Sequence, residues 1–283
     1  EYGPPSTKAD YWIPIRPQTD AALWLGVTRL MMDAKAYDEA FIRAFTDFPL
    51  LVRTDTLRRL RAHEVFPGYQ TTLAPDGPSM RVQGLTAEQH AKLGDYVIWD
   101  EKARAPRALT RDDVGARMAV KGLRPALEGT WKVRLVDGQE VEVATLWTLY
   151  RTHLRDYDLD TVAEITHAPK DLIRQLAQDL ATLKPAAIHQ GEGINHWFHA
   201  TEMNRAAYLP LMLTGNIGKP GAGCHTWAGN YKAALFQGST ATGPGFKGWV
   251  AEDPFHLLLD PNAPGKDVDA HAYTKDEEPA YWN

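Results

Sequence analysis

Two glycine-rich loops bracket one apolar stretch in the second half of the chain, and no other feature restricts the fold as strongly. The first is the end of "PAAIHQGEGINHW". The second, "TGNIGKPGAGCHTWAGN" (214–230), follows "AAYLPLML" and holds Gly215, Gly218, Gly221, Gly223 and Gly229. Ordering a glycine costs more backbone entropy than ordering any other residue. Something must therefore come close to this backbone, whether a phosphate, a metal or a neighbouring helix. "PAAIHQGEG" reads as a short strand ending in Gly191 and Gly193. Such an end lets backbone N–H groups and a following helix N-terminus face an anion. If both loops lie along one sheet edge, they line a cleft with backbone donors. The amides of Asn195, Asn216 and Asn230 and the flat rings of Trp197 and Trp227 would complete that cleft.

The rest of the chain alternates strand and helix signals. "ADYWIPI" (Ala9 to Ile15) reads as a short buried strand, and Asp20 as the cap of the periodic helix "AALWLGVTRLMMDA". "YDEAFIRAF" is a second amphipathic helix and "FPLLV" (Phe48 to Val52) a strand. From about Glu64 to Arg111 the sequence is rich in Gly, Pro and charge, with "GDYVIWD" its one clear strand. "WKVRLVDGQEVEVA" alternates around Asp137-Gly138 as a β-hairpin and runs into the helix "TLWTLYRTHLRDY". Two further helices follow, the second with Leu172, Ile173, Leu176, Leu180 and Leu183 on one face. A helix from about Trp197 to Leu213 separates the glycine loops, and after Phe236 the chain turns loop-like. The expected class is α/β: a Rossmann-like, mainly parallel sheet flanked by helices, with a smaller inserted α+β excursion. The expected division is 1–63 as the end of one nucleotide-binding unit and 64–150 as an insertion containing the hairpin. Residues 151–235 form a second α/β unit with the two cofactor loops, and 236–283 an extended segment.

Composition excludes several classes. A net charge of −5 and the absence of a long basic stripe point away from nucleic acid; the densest basic run, "RTDTLRRLRAH", has the spacing of a solvated helix face. The single cysteine, Cys224, cannot form a disulfide within the chain, nor ligate an iron–sulfur cluster alone. One thiol suits cytoplasm or periplasm equally, and the apolar runs are far short of a membrane span. The chain opens in mid-phrase at "EYGPPSTKADYW" and stops at "EPAYWN", which reads as a piece of a longer protein.

Known loop motifs fit poorly. A P-loop needs G-x-x-x-x-G-K-[ST] after a strand, but Pro220 follows Gly218-Lys219 and the element before it is helical. A dinucleotide fingerprint needs a third glycine where His196 stands. A zinc site built from His189, His196, His199, Cys224 and His225 lacks any C-x-x-C or H-x-x-x-H spacing, and buried or rim histidines are the simpler reading. Upstream, Arg16 and Asp20 stand at a strand-to-helix turn. A carboxylate there can accept two hydrogen bonds from a guanine edge, or serve only as a helix cap.

Together, "RPQTDAALWLG", "HQGEGINHWFHATEMNRAAYLPLMLTGNIGKPGAGCHTWAGN" and "GPGFKGWVAEDPF" resemble the molybdopterin oxidoreductases of the dimethyl sulfoxide reductase superfamily. The phrases "GEGINHWFHAT" and "TWAGNYKAALFQ" resemble more narrowly the catalytic alpha subunits of nitrate reductases and nitrite oxidoreductases. The resemblance is strong over roughly residues 8–60 and 160–255. It implies a molybdenum bis(molybdopterin guanine dinucleotide) cofactor, with Arg16, Gln18, Thr19 and Asp20 at one guanine and Asp20 reading the base. It places Gly191, Glu192, Gly193, Asn195 and His196 along the pterin and pyrophosphate near the metal. Asn195 and His196 match the family's active-site pair; Trp227, Ala228, Gly229 and Asn230 line the substrate side, with Ala228 as a small wall residue. Gln18 replaces the glycine usual in that turn, a departure expected to alter the turn and its contact. The family's aspartate ligand to molybdenum and its 4Fe-4S ligands lie upstream of the matched region, so this segment alone is not expected to turn over. The implied reaction is oxygen-atom transfer with nitrate or nitrite, coupled to two electrons passed to an iron–sulfur relay. Implied partners are an iron–sulfur beta subunit and a haem membrane subunit, which would make the parent membrane-associated on either the cytoplasmic or the periplasmic side. Chlorate, selenate or hydrocarbon chemistry of the same branch, and a non-catalytic pterin- or nucleotide-binding module, stand as alternatives.

Overall fold

A computed structural model of the protein describes residues 3–70 and 95–226. The order begins with helices α1 (Asp20–Asp33) and α2 (Glu39–Phe45), strand β1 (Leu51–Arg53) and the single turn α3 (Ala62–Val65). Next come β2 (Tyr96–Asp100), β3 (Ala105–Leu109), α4 (Ala116–Val120), β4 (Thr130–Arg134), β5 (Glu140–Thr145) and α5 (Leu146–His153). The chain continues through α6 (Leu159–Thr166), α7 (Lys170–Thr182), β6 (Ala187–Gln190), α8 (Ala200–Thr214) and β7 (Gly223–Thr226).

The mixed helix and strand content agrees with the expectation, but the sheets are small and mostly antiparallel. Among the described strands, β1, β5 and β4 form one antiparallel sheet, β2 with β3 another, and β6 and β7 alone run parallel. A mainly parallel Rossmann-like sheet is not among the described residues. The hairpin forms where alternation puts it, with Gly138 at φ +90° in the turn. The inserted region contains β3 as well as the expected β2, and Trp99 stacks on Trp131 with ring centroids 4.8 Å apart, joining the two antiparallel sheets.

The main core is helical. α1 buries Leu23, Val27, Met31 and Met32 against Val162 of α6, Ile173, Ala177 and Leu180 of α7, and Leu213 of α8. Trp147 of α5 fills the centre, edge-on to Tyr37 and Phe48 at 5.0 and 5.3 Å. Helix ends follow local chemistry. Asp158 caps α6 by accepting from the Asp160 and Thr161 amides, and Gly215 closes α8 at φ +66°. Leu183, expected on the buried face of α7, falls past the helix end and is 65% exposed. The segment 9–15 forms no strand, bending at residues 9 and 10. It is held instead through side chains and a backbone bond further on: the Tyr11 hydroxyl donates to Asp179 at 2.8 Å, and the Arg16 amide to the Thr166 carbonyl at 2.8 Å. Among the described residues, no helix is long and apolar enough to cross a membrane.

Candidate functional site

The parallel β6–β7 ribbon decides the arrangement of the two glycine loops. Its register pairs Ala187 with Gly223, Ile188 with Cys224, His189 with His225 and Gln190 with Thr226. Gly215, Gly218 and Gly221 precede β7 and lie at the other end of the ribbon, where Asn216 accepts from Ala186 and Gly221 faces Pro185, so the described parts of the two loops do not share one edge as expected. Gly191 instead leaves β6 at the carboxyl end, level with Thr226 of β7. That is the edge where α/β sheets hold ligands. Trp227, Ala228, Gly229 and Asn230 follow Thr226 but lie outside the described residues, as does the segment 236–283.

β7 lies inside the second glycine-rich stretch and was not legible in it. The structure also separates the glycines into two kinds. Gly215, Gly218, Gly221 and Gly223 all have positive φ, so the local backbone accounts for them without any ligand. Gly191, at φ −86°, and Gly193 have no such requirement, and a Cβ at either would meet nothing within 4 Å. Nothing in the described chain requires glycine at these two positions. An open, uncrowded backbone remains, which admits close approach by a group from outside.

After Gly191 the chain makes one tight helical turn, Glu192–His196, before α8. Asn195 is exposed, and its Oδ1 accepts from Nδ2 of Asn204 at 2.8 Å. The same Asn204 amide donates to the Ala200 carbonyl at 2.8 Å, and its own carbonyl accepts from Gln190 at 3.3 Å. Asn204 thus ties the loop to α8 and to the end of β6. It was missed in the sequence because a lone helical asparagine carries no motif. His196 is exposed beside Asn195 on the same turn. Asn216 does not line a cleft as expected. It is 1% exposed, accepts from the Ala186 amide at 3.1 Å and donates to the Thr214 hydroxyl at 2.7 Å, so its work is structural.

In the upstream turn Gln18 stands at φ +74°, in the left-handed region that favours glycine. Thr19 closes the turn, its amide and hydroxyl donating to the Arg16 carbonyl at 3.3 and 2.6 Å. Asp20 is the first residue of α1 rather than its cap; Thr19 holds the cap position, without a side-chain capping bond. Burial raises the Asp20 carboxyl pKa above the ordinary value, only partly offset by a backbone hydrogen bond. Arg16 is not a loose surface charge, for its guanidinium contacts Nε2 of His167. One turn beyond Asp20, Trp24 packs on the cluster of Ile188, Ala207 and Leu211 that also includes Cys224. The turn and the ribbon are therefore joined through α1.

The histidines and the thiol are not arranged as a metal centre. His189 and His225 stack at 4.8 Å with planes 23° apart, so their in-plane lone pairs do not converge. Burial pushes the Cys224 thiol up, with a hydrogen bond to Tyr208 pulling the other way, so it stays protonated at neutral pH.

The molybdopterin oxidoreductase family model matches residues 2–272. The chain is 33% identical over 242 residues to the respiratory nitrate reductase subunit alpha of Haloferax mediterranei, covering 84% of this chain and 23% of that protein. It is 30% identical over 247 residues to the perchlorate reductase subunit alpha of Dechloromonas aromatica, covering 85% and 26%. With the chlorate reductase subunit alpha of Ideonella dechloratans it shares 23% identity over 274 residues, covering 95% and 25%. The chain spans about a quarter of the length of these relatives.

Proposed function

This chain belongs to the molybdopterin oxidoreductase family, and on that premise we propose that it is the cofactor-binding part of a molybdenum oxotransferase catalytic subunit acting on nitrate or nitrite. The observation that carries the proposal is the parallel register of β6 and β7, which brings Gly191 and the residue before Trp227 to one end of the ribbon. The open faces of Gly191 and Gly193 fit a large flat ligand lying against bare backbone. We assign the cofactor its bis(molybdopterin guanine dinucleotide) form, and the ribbon a place in a larger parallel sheet of the full-length protein.

When bound, molybdopterin-held molybdenum supplies oxygen-atom transfer coupled to two electrons. The chain's own residues would bind and orient. Arg16, Gln18, Thr19 and Asp20 would hold one guanine, with the Asp20 carboxylate accepting from its N–H edge. Gly191, Glu192 and Gly193 would run along the pterin and pyrophosphate with their backbone N–H groups as donors. Asn195, fixed by Asn204, and His196 would stand near the metal, with Trp227, Ala228, Gly229 and Asn230 on the substrate side. An iron–sulfur cluster elsewhere in the catalytic subunit, an iron–sulfur beta subunit and a haem membrane subunit would carry the electrons and tether the assembly to a membrane. Perchlorate or chlorate is the second substrate reading, favoured by the 30% identity to a perchlorate reductase subunit alpha.

The test is elemental mass spectrometry on the full-length protein from its native source, followed by assays with nitrate, nitrite, perchlorate and chlorate. The proposal expects about one molybdenum per catalytic chain, by the chemistry of a resident cofactor, and turnover of nitrate or nitrite. Absence of molybdenum from an intact chain refutes it; turnover of perchlorate or chlorate alone moves the substrate assignment to the second reading.

A further inference from the structure

His167 has no place in any of the motifs above, yet the structure sets it against the nucleotide turn. It is the residue that ends α6, with its backbone left-handed at φ +61°. Across from it, Gln18 is left-handed at φ +74°. Both are positions that glycine fills without steric cost, and at both the chain carries a long side chain instead. Between them the Arg16 amide donates to the Thr166 carbonyl at 2.8 Å, and the Arg16 guanidinium meets Nε2 of His167. Arginine has donors only, so in a hydrogen bond between the two the imidazole Nε2 is the acceptor. Backbone and side chain of Arg16 are thus both pinned to the α6–α7 connection. The Arg16 carbonyl, in turn, receives the amide and hydroxyl of Thr19, the residue before Asp20.

We propose that His167 is a positioning residue for nucleotide binding: its Nε2 orients the Arg16 guanidinium, and through the Arg16–Thr19 bonds it fixes where the Asp20 carboxylate points. The chemical class of ligand is a guanine nucleotide, and the assignment rests on the cofactor reading above. A strained residue at a helix end is tolerated where it does work elsewhere, and here that work is a hydrogen bond reaching across to another segment. His167 touches Arg16 and reaches the ligand only through it.

The experiment uses the full-length protein as isolated, with three substitutions. His167→Gly removes the ring and suits the left-handed backbone. His167→Leu keeps bulk without an acceptor, and His167→Gln places Oε1 about where Nε2 stands. The readouts are molybdenum per chain, guanine nucleotide released on acid hydrolysis, and the rate of nucleotide loss during incubation at fixed temperature, with melting temperature measured in parallel. Losing one hydrogen bond of ordinary net strength corresponds to a loss rate raised about three- to tenfold. That increase is expected for Gly and Leu, with Gln close to wild type and with the Gly variant melting no lower than wild type. Loss in step with melting temperature across the three variants would mean a purely structural role and overturn the proposal. So would full retention by the Gly and Leu variants. A wild-type protein without molybdenum or guanine nucleotide would fail at the cofactor reading itself, before the variants are compared.

Discussion

Gly26 sits in the middle of α1, where alanine would ordinarily be the better helix former by about 1 kcal/mol. The tertiary structure reverses that preference. A Cβ at Gly26 would lie 2.6 Å from Cγ2 and 3.0 Å from Cγ1 of Val162, whose side chain is fully buried in α6. Ordinary contact begins near 3.4 Å, so α1 and α6 would have to part by most of an ångström. Overpacking of this kind costs about 1–3 kcal/mol. Against the propensity gain, Gly26→Ala should be destabilising by up to about 2 kcal/mol. Val162→Ala alone removes two buried methyl groups and should cost about 2 kcal/mol. The double variant places the new methyl in the vacated space and keeps the better helix former. It should cost about 1 kcal/mol, well below the two singles together, giving a coupling above about 1 kcal/mol between the sites. Because α1 carries the Arg16–Asp20 turn and α6 carries His167, the same separation should weaken the Arg16–His167 contact. The assay is amide hydrogen exchange by mass spectrometry on α1 and α6 in the full-length protein, which reads local opening free energies. A stabilised Gly26→Ala variant, or a double variant equal to the sum of the singles, would show that the two helices do not meet at this point.

Gln18→Gly should relieve a left-handed cost of about 1–2 kcal/mol while adding roughly 0.5–1 kcal/mol of glycine backbone entropy. A net gain of a few tenths to about 1 kcal/mol is expected in exchange of the first α1 amides; a loss would mean that the Gln18 side chain itself holds the turn. Asp20→Asn tests the half-buried carboxyl. Because burial raises the folded-state pKa above the unfolded value, the Asp20 contribution to stability is fully present below the ordinary carboxylate pKa and is lost as pH rises through the folded one. The asparagine variant should therefore flatten the stability profile of the cofactor-free protein across that acid window, and should hold guanine nucleotide more weakly at neutral pH. An unchanged profile would place Asp20 in solvent, and unchanged nucleotide retention would remove it from the guanine site.

Local chemistry carried much of this protein into view from its residues. The 3.6-residue periodicity of α1 and α7 and the Asp137-Gly138 alternation of the β4–β5 hairpin are properties of neighbouring residues, and these elements formed apart from shifts of a residue at helix ends. The quoted phrases around Arg16 and Gly191 likewise carried the family, because a motif is a run of consecutive residues. Pairing between distant segments leaves no such mark. β7 hides in a glycine-rich stretch because what makes it a strand is β6, whose paired residues lie 36 positions earlier. Residues 9–15 have the apolar character of a strand but join no strand pair among the described residues, and Tyr11 reaches α7 through its side chain. Asn216 looked like a ligand amide until burial showed its hydrogen bonds spent on Ala186 and Thr214. Asn204 and His167 drew no notice, because each acts on a residue that only folding brings near. Sequence alone determined which segments become helix or hairpin and which family they serve. Tertiary structure decided which glycines answer to their own backbone and which stand open, since that depends on what occupies the space beside them.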